Sequence, residues 1–443
     1  MSLDYSFQSS SNRDQNPILI VGAGWAGLSA AVTLVSQGKK VMLLEASNTP
    51  GGRARNVSFA NEMLDNGQHL LLGGYKEVLS ILKILNIEEQ QVFKREPFNL
   101  LIHRKTLDIH LKSYFFRGLL SKGLSIKERL ALFYFFSKLR DLSPTSMEDL
   151  SIQTLLKYLK QPDSLIRSLW NPLALAALST DPSFASASIF VNVLQKTFTS
   201  NRSNSDLLFP LVSLGDVLPN PACAYLKQKR NPILFRERVT TLLFENNRCV
   251  GVKTNHGSFL GSAVILATPP YATARILECV PGLESLKNAL ISFQYHPITT
   301  IYLQFKSDEF LQFKSRIIGF TDGVTQWMFD LSKLRKESTR SPILSIVITG
   351  EGAHSHWDPS LLVKKVVSEI RDYYPLLPDP IQSQVITEKR AAFSCQPAIL
   401  KQRSITQTQV PNLFLAGDHL DTGFPATLEA AVQTGINAAT LLL

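Results

Sequence analysis

The stretch from Pro17 to Glu45, PILIVGAGWAGLSAAVTLVSQGKKVMLLE, constrains the fold more than any other part of the chain. Ile18 to Val21 is an uninterrupted apolar run suited to a buried parallel strand. Gly22, Gly24 and Gly27 follow at once, Leu28 to Ser36 has helical spacing, and Val41 to Leu44 is a second apolar run. Strand, glycine turn, helix and strand in that order make a βαβ unit. Gly22 makes the tight turn, Gly24 lets a pyrophosphate approach the backbone, and Gly27 lets helix and strand pack closely, with phosphates on the helix N-terminus. Glu45 closes the second strand. Its carboxylate is placed to accept hydrogen bonds from an adenosine ribose and would repel a 2′-phosphate, so FAD or NAD is expected rather than NADP. Glycines at this spacing also occur in ordinary turns; the ordered set of strand, glycines, helix, strand and acid is what carries the reading.

A chain of 443 residues is too long for one small core, and about 150 residues per domain predicts two or three domains. The four cysteines, Cys223, Cys249, Cys279 and Cys395, are scattered without a CxxC pair, so neither a disulfide framework nor a zinc site is indicated and a reducing compartment fits. The polar lead from Met1 to Asn16 lacks the apolar centre of a signal peptide. No window approaches the roughly 18 apolar residues of a spanning helix. Net charge is +10. With no nucleic-acid motif beside it, that charge points to a membrane surface rather than to nucleic acid.

After Glu45, Pro50-Gly51-Gly52-Arg53-Ala54-Arg55 suits a loop crossing a diphosphate or flavin edge, where a guanidinium supplies planar, permanently charged donors. Phe59 to Gly67 reads as a strand and a glycine bend, followed by Gln68 and His69, two polar side chains beside Gly-rich backbone. From Lys76 to about Arg230 the pattern is helical. Within it, Lys112 to Arg140 interleaves Phe, Tyr and Leu with Lys and Arg; it suits a membrane interface, or two core helices with solvated lysines. Leu169 to Leu178 is strongly apolar and would line a pocket or fill a core.

Strand character returns from Val239 to Pro270 as a three-stranded meander ending in the buried run Ala263 to Ala267. Short strands at Thr299 to Phe305 and Ile343 to Ile348 and a helix from Ser360 to Tyr373 follow, and His354-Ser355-His356 reads as an exposed loop, not a metal site. Near the C-terminus, Leu413 to Ala416 is a short buried strand, Gly417-Asp418 ends it, and Ala426-Thr427-Leu428 leads into the last helix. Asp418 at the strand end is placed to accept from a ribityl chain, and the helix N-terminus to face the flavin edge where negative charge collects on reduction.

The motifs VGAGWAGLSAA, LLEA, GGRAR and LFLAGD, with PATLEAAVQTG, resemble the FAD-dependent amine oxidase and carotenoid desaturase superfamily. DNGQHLLLGGY (Asp65 to Tyr75), LWNPLALAALSTDPSFASA (Leu169 to Ala187), EKRAAF (Glu388 to Phe393) and LAGDHLDTGFPATLEAAV (Leu415 to Val432) are similar, along nearly the whole chain, to the squalene-associated desaturases of hopanoid biosynthesis, the hydroxysqualene dehydroxylases. The sequence departs from that pattern at Asn171, Ser179, His419 and Phe424. The resemblance implies an α/β chain with a two-part Rossmann-like FAD-binding domain (1–75, 231–275 and 383–443) carrying a β-meander, and a mixed, largely helical substrate-binding domain (76–230 and 276–382) with membrane-facing helices. It implies FAD, with Gly22, Gly24, Trp25, Ala26, Gly27, Glu45, Gly52, Arg53, Gly67, Gln68, His69, Val239, Gly417, Asp418, Ala426, Thr427 and Leu428 as binding residues; because no cysteine sits in the C-terminal flavin segment, Cys395 being the nearest, non-covalent binding is expected.

The implied reaction is reductive removal of the allylic hydroxyl of hydroxysqualene. It needs a long-chain isoprenoid substrate, an external reductant and a general acid, for which His69 and Asp181 are the candidates; the expected location is cytoplasmic, peripheral at the inner face of a bacterial membrane. An oxidative carotenoid desaturase, an amine oxidase with a polar substrate, and a flavin-bearing scaffold without turnover are the competing readings.

Overall fold

The computed structural model describes residues 16–59, 62–104, 107–112, 122–278, 280–306, 313–332, 334 and 341–443. The apolar run Ile18–Val21 (β1) is buried along its whole length, as is all of Val41–Glu45 (β2) except Glu45 itself, and the helix Trp25–Ser36 (α1) joins them. Burial on both faces is what continuous Val, Ile and Leu runs require of a parallel sheet. Among the described residues that sheet has five strands in the order Ile233–Phe235, β2, β1, Val264–Leu266 and Leu413–Leu415, all parallel. Leu19 stands between Met42 and Val264, so the strand end carrying Gly22 sits at the middle of the sheet.

One face of this sheet is covered by α1 and the final helix Leu428–Thr440. Their backbones meet closely: a β-carbon on Gly435 would lie 2.2 Å from the Ala26 carbonyl oxygen. The other face packs on the antiparallel meander Val239–Glu245, Arg248–Thr254 and Ser258–Leu260 and on the helices Pro270–Ile276 and Glu284–Ile291. The asparagine turn at Asn246-Asn247, both with positive φ, closes the first hairpin where it was expected.

The second layer holds more sheet than the mixed, largely helical domain expected. Among the described residues a mixed sheet of seven strands runs Gln382–Phe393, Tyr295–Gln304, Ile343–Thr349, Trp327–Asp330, Ile317–Phe320, Asn99–His103 and Ile109–Lys112. Its faces are sorted by period two: Ile298 and Tyr302 pack with the helices Ile126–Leu139, Ile152–Tyr158, Asn171–Leu178 and Ala187–Phe198, whereas Ile301 and Leu303 pack against the helix Pro359–Arg371. Strands at Phe93–Glu96, Asn99–His103 and Ile109–Lys112 were hidden in the sequence because they are short and lack glycine turns.

Phe59 to Gly67 is likewise an antiparallel pair, Asn56–Phe59 with Glu62–Asp65, rather than one strand. Of the basic, aromatic stretch, the helix Ile126–Leu139 is described, while 113–121 lies outside the described residues. His354 also departs from its expected exposure: it is buried in the short 3₁₀ turn Ala353–His356. No group of three or more His, Cys, Asp or Glu able to hold a metal ion occurs among the described residues.

Candidate active site

One cavity of about 1010 Å³ runs from the carboxyl edge of the parallel sheet to the apolar face of the second sheet. That volume is at the upper end of the ~300–1,000 Å³ of small-molecule and cofactor pockets. Its polar end is built by the glycine turn. Gly22 has φ +108°, and a β-carbon there would come within 2.6 Å of the Ala267 carbonyl oxygen; one on Gly27 would lie 2.0 Å from the Gly22 carbonyl oxygen. Gly24 is different, with nothing of the protein within 4 Å of its β-carbon position. It caps α1 without a side chain, and no acidic residue stands in the first helical turn, so the N-terminal amides are left to an anion.

Glu45 is held by the turn it serves. Its Oε2 accepts from the Ala23 amide at 2.6 Å and its Oε1 from the Ser47 amide at 2.7 Å, which fixes the carboxylate while leaving each oxygen a second lone pair for a hydroxyl. Val239 and Glu237 line the cavity beside it. Trp25 also lines the cavity, and its indole N–H donates to the Ala54 carbonyl at 3.2 Å, tying α1 to the loop that contains Gly52 and Arg53.

Farther in, Arg53 Nη2 donates to Asp418 Oδ1 at 2.6 Å and Nη1 to the Ala391 carbonyl at 2.9 Å. Burial opposes the charge of Asp418, but Arg53, His419 and Arg403 outweigh it and hold the carboxyl below its ordinary range. The Arg53 side chain is thus committed to Asp418 and the Ala391 backbone, rather than extended alone toward a diphosphate. Gly67, Gln68 and His69 line the cavity alongside. Thr427 caps the final helix, its hydroxyl accepting from the Ala430 amide at 3.2 Å, and Ala426, Thr427 and Leu428 all line the cavity.

The two candidate acids fare differently. His69 lines the cavity, with Nδ1 2.8 Å from the Gly67 carbonyl oxygen. A carbonyl only accepts, so Nδ1 carries the proton and Nε2 of the uncharged ring is an acceptor. Burial lowers its pKa, Arg53 adds to that, and the Gly67 contact opposes it. At neutral pH this imidazole orients a hydroxyl better than it protonates one. Asp181 is a correction: it is exposed, outside the cavity lining, and its Oδ1 caps a turn by accepting from the Ser183 amide at 2.8 Å.

Two residues that support the cavity wall without lining it have no signal in the sequence. Arg403 is buried and gathers the loop after Asp418: it donates to the carbonyls of His419 (3.2 Å), Phe424 (2.7 Å), Asp418 (3.2 Å) and Leu420. Glu429 caps the helix Lys76–Ile84, accepting from the Glu77 and Val78 amides at 3.0 and 3.1 Å. Burial pushes its carboxyl up to about 7. Neither has a local motif; only long-range backbone partners reveal them.

The inner end of the cavity is apolar. Leu173, Ala177 and Phe190 from the helices face Ile317, Trp327 and Phe329 from the second sheet. The apolar segment Leu169 to Leu178 does both of its expected jobs, since Leu173, Ala176 and Ala177 line the cavity while Trp170, Ala174 and Leu178 fill the core.

A parallel sheet with a glycine turn at its carboxyl edge, an acid closing the second strand, and a cavity that passes from polar to apolar define a dinucleotide-dependent oxidoreductase fold. The model of the flavin containing amine oxidoreductase family matches residues 25–443, and the chain belongs to that family. It is similar to the hydroxysqualene dehydroxylase of Zymomonas mobilis, 26% identical over 96% of this chain and 98% of that protein, and to that of Rhodopseudomonas palustris, 29% identical over 96% and 97%. Among solved structures, an oxidoreductase from Methanosarcina mazei shares the fold with a TM-score of 0.76 at 15% identity, covering 96% of this chain and 100% of that one.

Proposed function

We propose that this protein is an FAD-dependent hydroxysqualene dehydroxylase, reducing the allylic alcohol to squalene. The observation that carries the reading is the single cavity with two characters: a glycine-turn cradle at one end and a slot of Leu, Ala, Phe and Trp at the other. The two hydroxysqualene dehydroxylases align over almost their full lengths, so cradle and slot both fall within the aligned region.

The residues fit FAD. The open face of Gly24 and the uncapped amides of α1 would hold the pyrophosphate, Glu45 the adenosine ribose, and Val239, which lines the same end of the cavity, the adenine. Gly52, Gly67, Gln68, Gly417, Asp418 and the segment from Ala426 to Leu428 line the part of the cavity that would take the flavin half. Bound there, FAD in its reduced form would supply a hydride to carbon and the proton with which the hydroxyl leaves as water, ending as oxidised FAD. Attachment is non-covalent: Cys395 is fully buried, burial pushes its thiol up to about 12, and no cysteine lines the cavity among the described residues.

The apolar slot binds the isoprenoid chain and excludes water from the reacting carbon. His69 Nε2 accepts a hydrogen bond from the substrate hydroxyl and holds it in place. Delivery of such an oily substrate suits a protein seated on an anionic bilayer. The helix Ile126–Leu139 supports this with an outward row of Ile126, Leu130, Phe133 and Tyr134, flanked by the exposed Lys127, Lys138 and Arg140. No helix among the described residues is long and apolar enough to cross a membrane. The test of the whole reading is conversion of hydroxysqualene by the reduced protein.

A further inference from the structure

Four carboxyl side chains line the cavity among the described residues: Glu45, Glu237, Glu388 and Asp418. Glu45 holds the Ala23 and Ser47 amides, Glu237 accepts from the Thr254 hydroxyl and lies 3.1 Å from His256 Nδ1, and Asp418 is paired with Arg53. Glu388 is different. Its Oε2 accepts from Asn66 Nδ2 at 3.2 Å and its Oε1 from the Arg390 amide at 3.4 Å, which leaves each oxygen a second lone pair. Its neighbouring cations are engaged elsewhere: Arg53 with Asp418 and the Ala391 carbonyl, and the Arg390 guanidinium 4.2 Å over the ring of Tyr271.

Glu388 lies on the long strand Gln382–Phe393, directly opposite Ile298 of the strand Tyr295–Gln304. Ile298 lines the cavity, and both it and Ile386, two positions before Glu388 on the same face, pack against the apolar cluster of the helices. A carboxylate set into such a row is costly unless something polar or positive meets it. Asn66 adjoins Gly67 and lines the cavity too, so Glu388 stands where the cradle gives way to the slot.

We propose that Glu388 is a catalytic residue whose carboxylate faces the reacting carbon and stabilises the positive charge that develops there as the hydroxyl departs. The proposal rests on the dehydroxylase reading above. In that step the carbon–oxygen bond breaks with its electron pair going to oxygen, the oxygen takes up a proton and leaves as water, and a hydride brings a new pair to carbon. Hydride and proton both come from the reduced flavin, which is left oxidised. Between the loss of one pair and the arrival of the other, the allylic carbons carry positive charge. A fixed carboxylate beside them, in a slot of low dielectric, lowers the barrier without gaining or losing a proton. His69 holds the departing oxygen, and Glu388 serves the carbon that it leaves.

The test uses the FAD-loaded Glu388→Gln variant, which keeps the length of the side chain and an acceptor for Asn66 and removes the charge. Calorimetry at pH 7 gives the dissociation constants of N,N-dimethylfarnesylamine, an isoprenoid whose ammonium sits beside an allylic carbon, and of farnesyl methyl ether, its neutral counterpart. Turnover of hydroxysqualene is measured alongside, with FAD content and melting temperature as controls. The expected result is a dissociation constant for the amine raised about tenfold or more, one for the ether within about threefold of wild type, and kcat lowered about a hundredfold. A variant that binds the amine as wild type does, or that keeps wild-type kcat, would overturn the assignment. So would parallel losses of amine, ether and FAD, which mark a structural role. Wild-type protein that favours the amine through Glu388 yet leaves hydroxysqualene unreduced would support the cation site and overturn the dehydroxylase reading.

Discussion

Arg53 and Asp418 lie 365 positions apart and meet in an ion pair of 2.6 Å. The pair joins the loop after β2 to the end of the last strand of the parallel sheet, and through Ala391 it reaches the long strand of the second sheet. The two ends of the chain and both sheets are thus tied at the wall of the cavity.

Asp418→Asn should release FAD and lower stability by about 2–3 kcal/mol, less than the ~3–5 kcal/mol of a fully buried pair because the Arg53 side chain is 32% exposed. Folding lowers the Asp418 pKa, so its contribution is present above the unfolded value of roughly 3.9 and is lost as pH falls through the folded one. Denaturant melts from pH 7 down to pH 2.5 check both statements: the gap between wild type and variant should be widest at pH 7, begin to close below about pH 3.9 and narrow further as pH falls toward the folded value.

The glycines of the turn should separate binding from folding. Gly24→Ala meets nothing in the protein, and its φ of −73° suits alanine, so the apoprotein should melt unchanged while FAD affinity falls by about tenfold or more. Gly27→Ala drives a methyl into the Gly22 carbonyl and should lower the melting temperature or prevent folding. Equal effects in the two variants would contradict the cradle geometry.

Much of this was legible beforehand because local chemistry specifies it. Gly22, Gly24, Gly27 and Glu45 need only their own sequence neighbours to define a turn, and all of them line the cavity or shape it. What stayed hidden depends on partners far along the chain: Arg403 reaches four carbonyls of the loop between Asp418 and Phe424, and Glu429 caps a helix 352 residues upstream. Asp181 misled for the same reason, since a polar residue after an apolar segment looks the same whether it enters a pocket or, as here, caps an exposed turn.

Filling the apolar slot should spare the cofactor. Ala177→Phe places a ring in the inner cavity, away from the glycine turn, and should retain FAD while lowering kcat/KM for the isoprenoid at least about tenfold. Flavin content by absorbance and steady-state turnover are the paired readouts; loss of FAD in this variant would mean that the two ends of the cavity are misassigned.

The membrane reading depends on the outward row of the helix Ile126–Leu139. Replacing Ile126, Leu130 and Phe133 with Ser removes apolar surface that is already exposed, so the fold should survive while binding to anionic vesicles in a flotation assay drops by about tenfold or more. Unchanged flotation would assign attachment elsewhere.

The most direct measurement is an anaerobic single turnover. The purified protein is reduced with dithionite, hydroxysqualene is added, and flavin absorbance is followed while lipids are extracted for mass analysis. Flavin reoxidation in step with squalene formation is the predicted result. Reduced flavin that ignores the alcohol, with oxidised protein instead bleaching on a polyene precursor, would contradict the dehydroxylase and point to a desaturase.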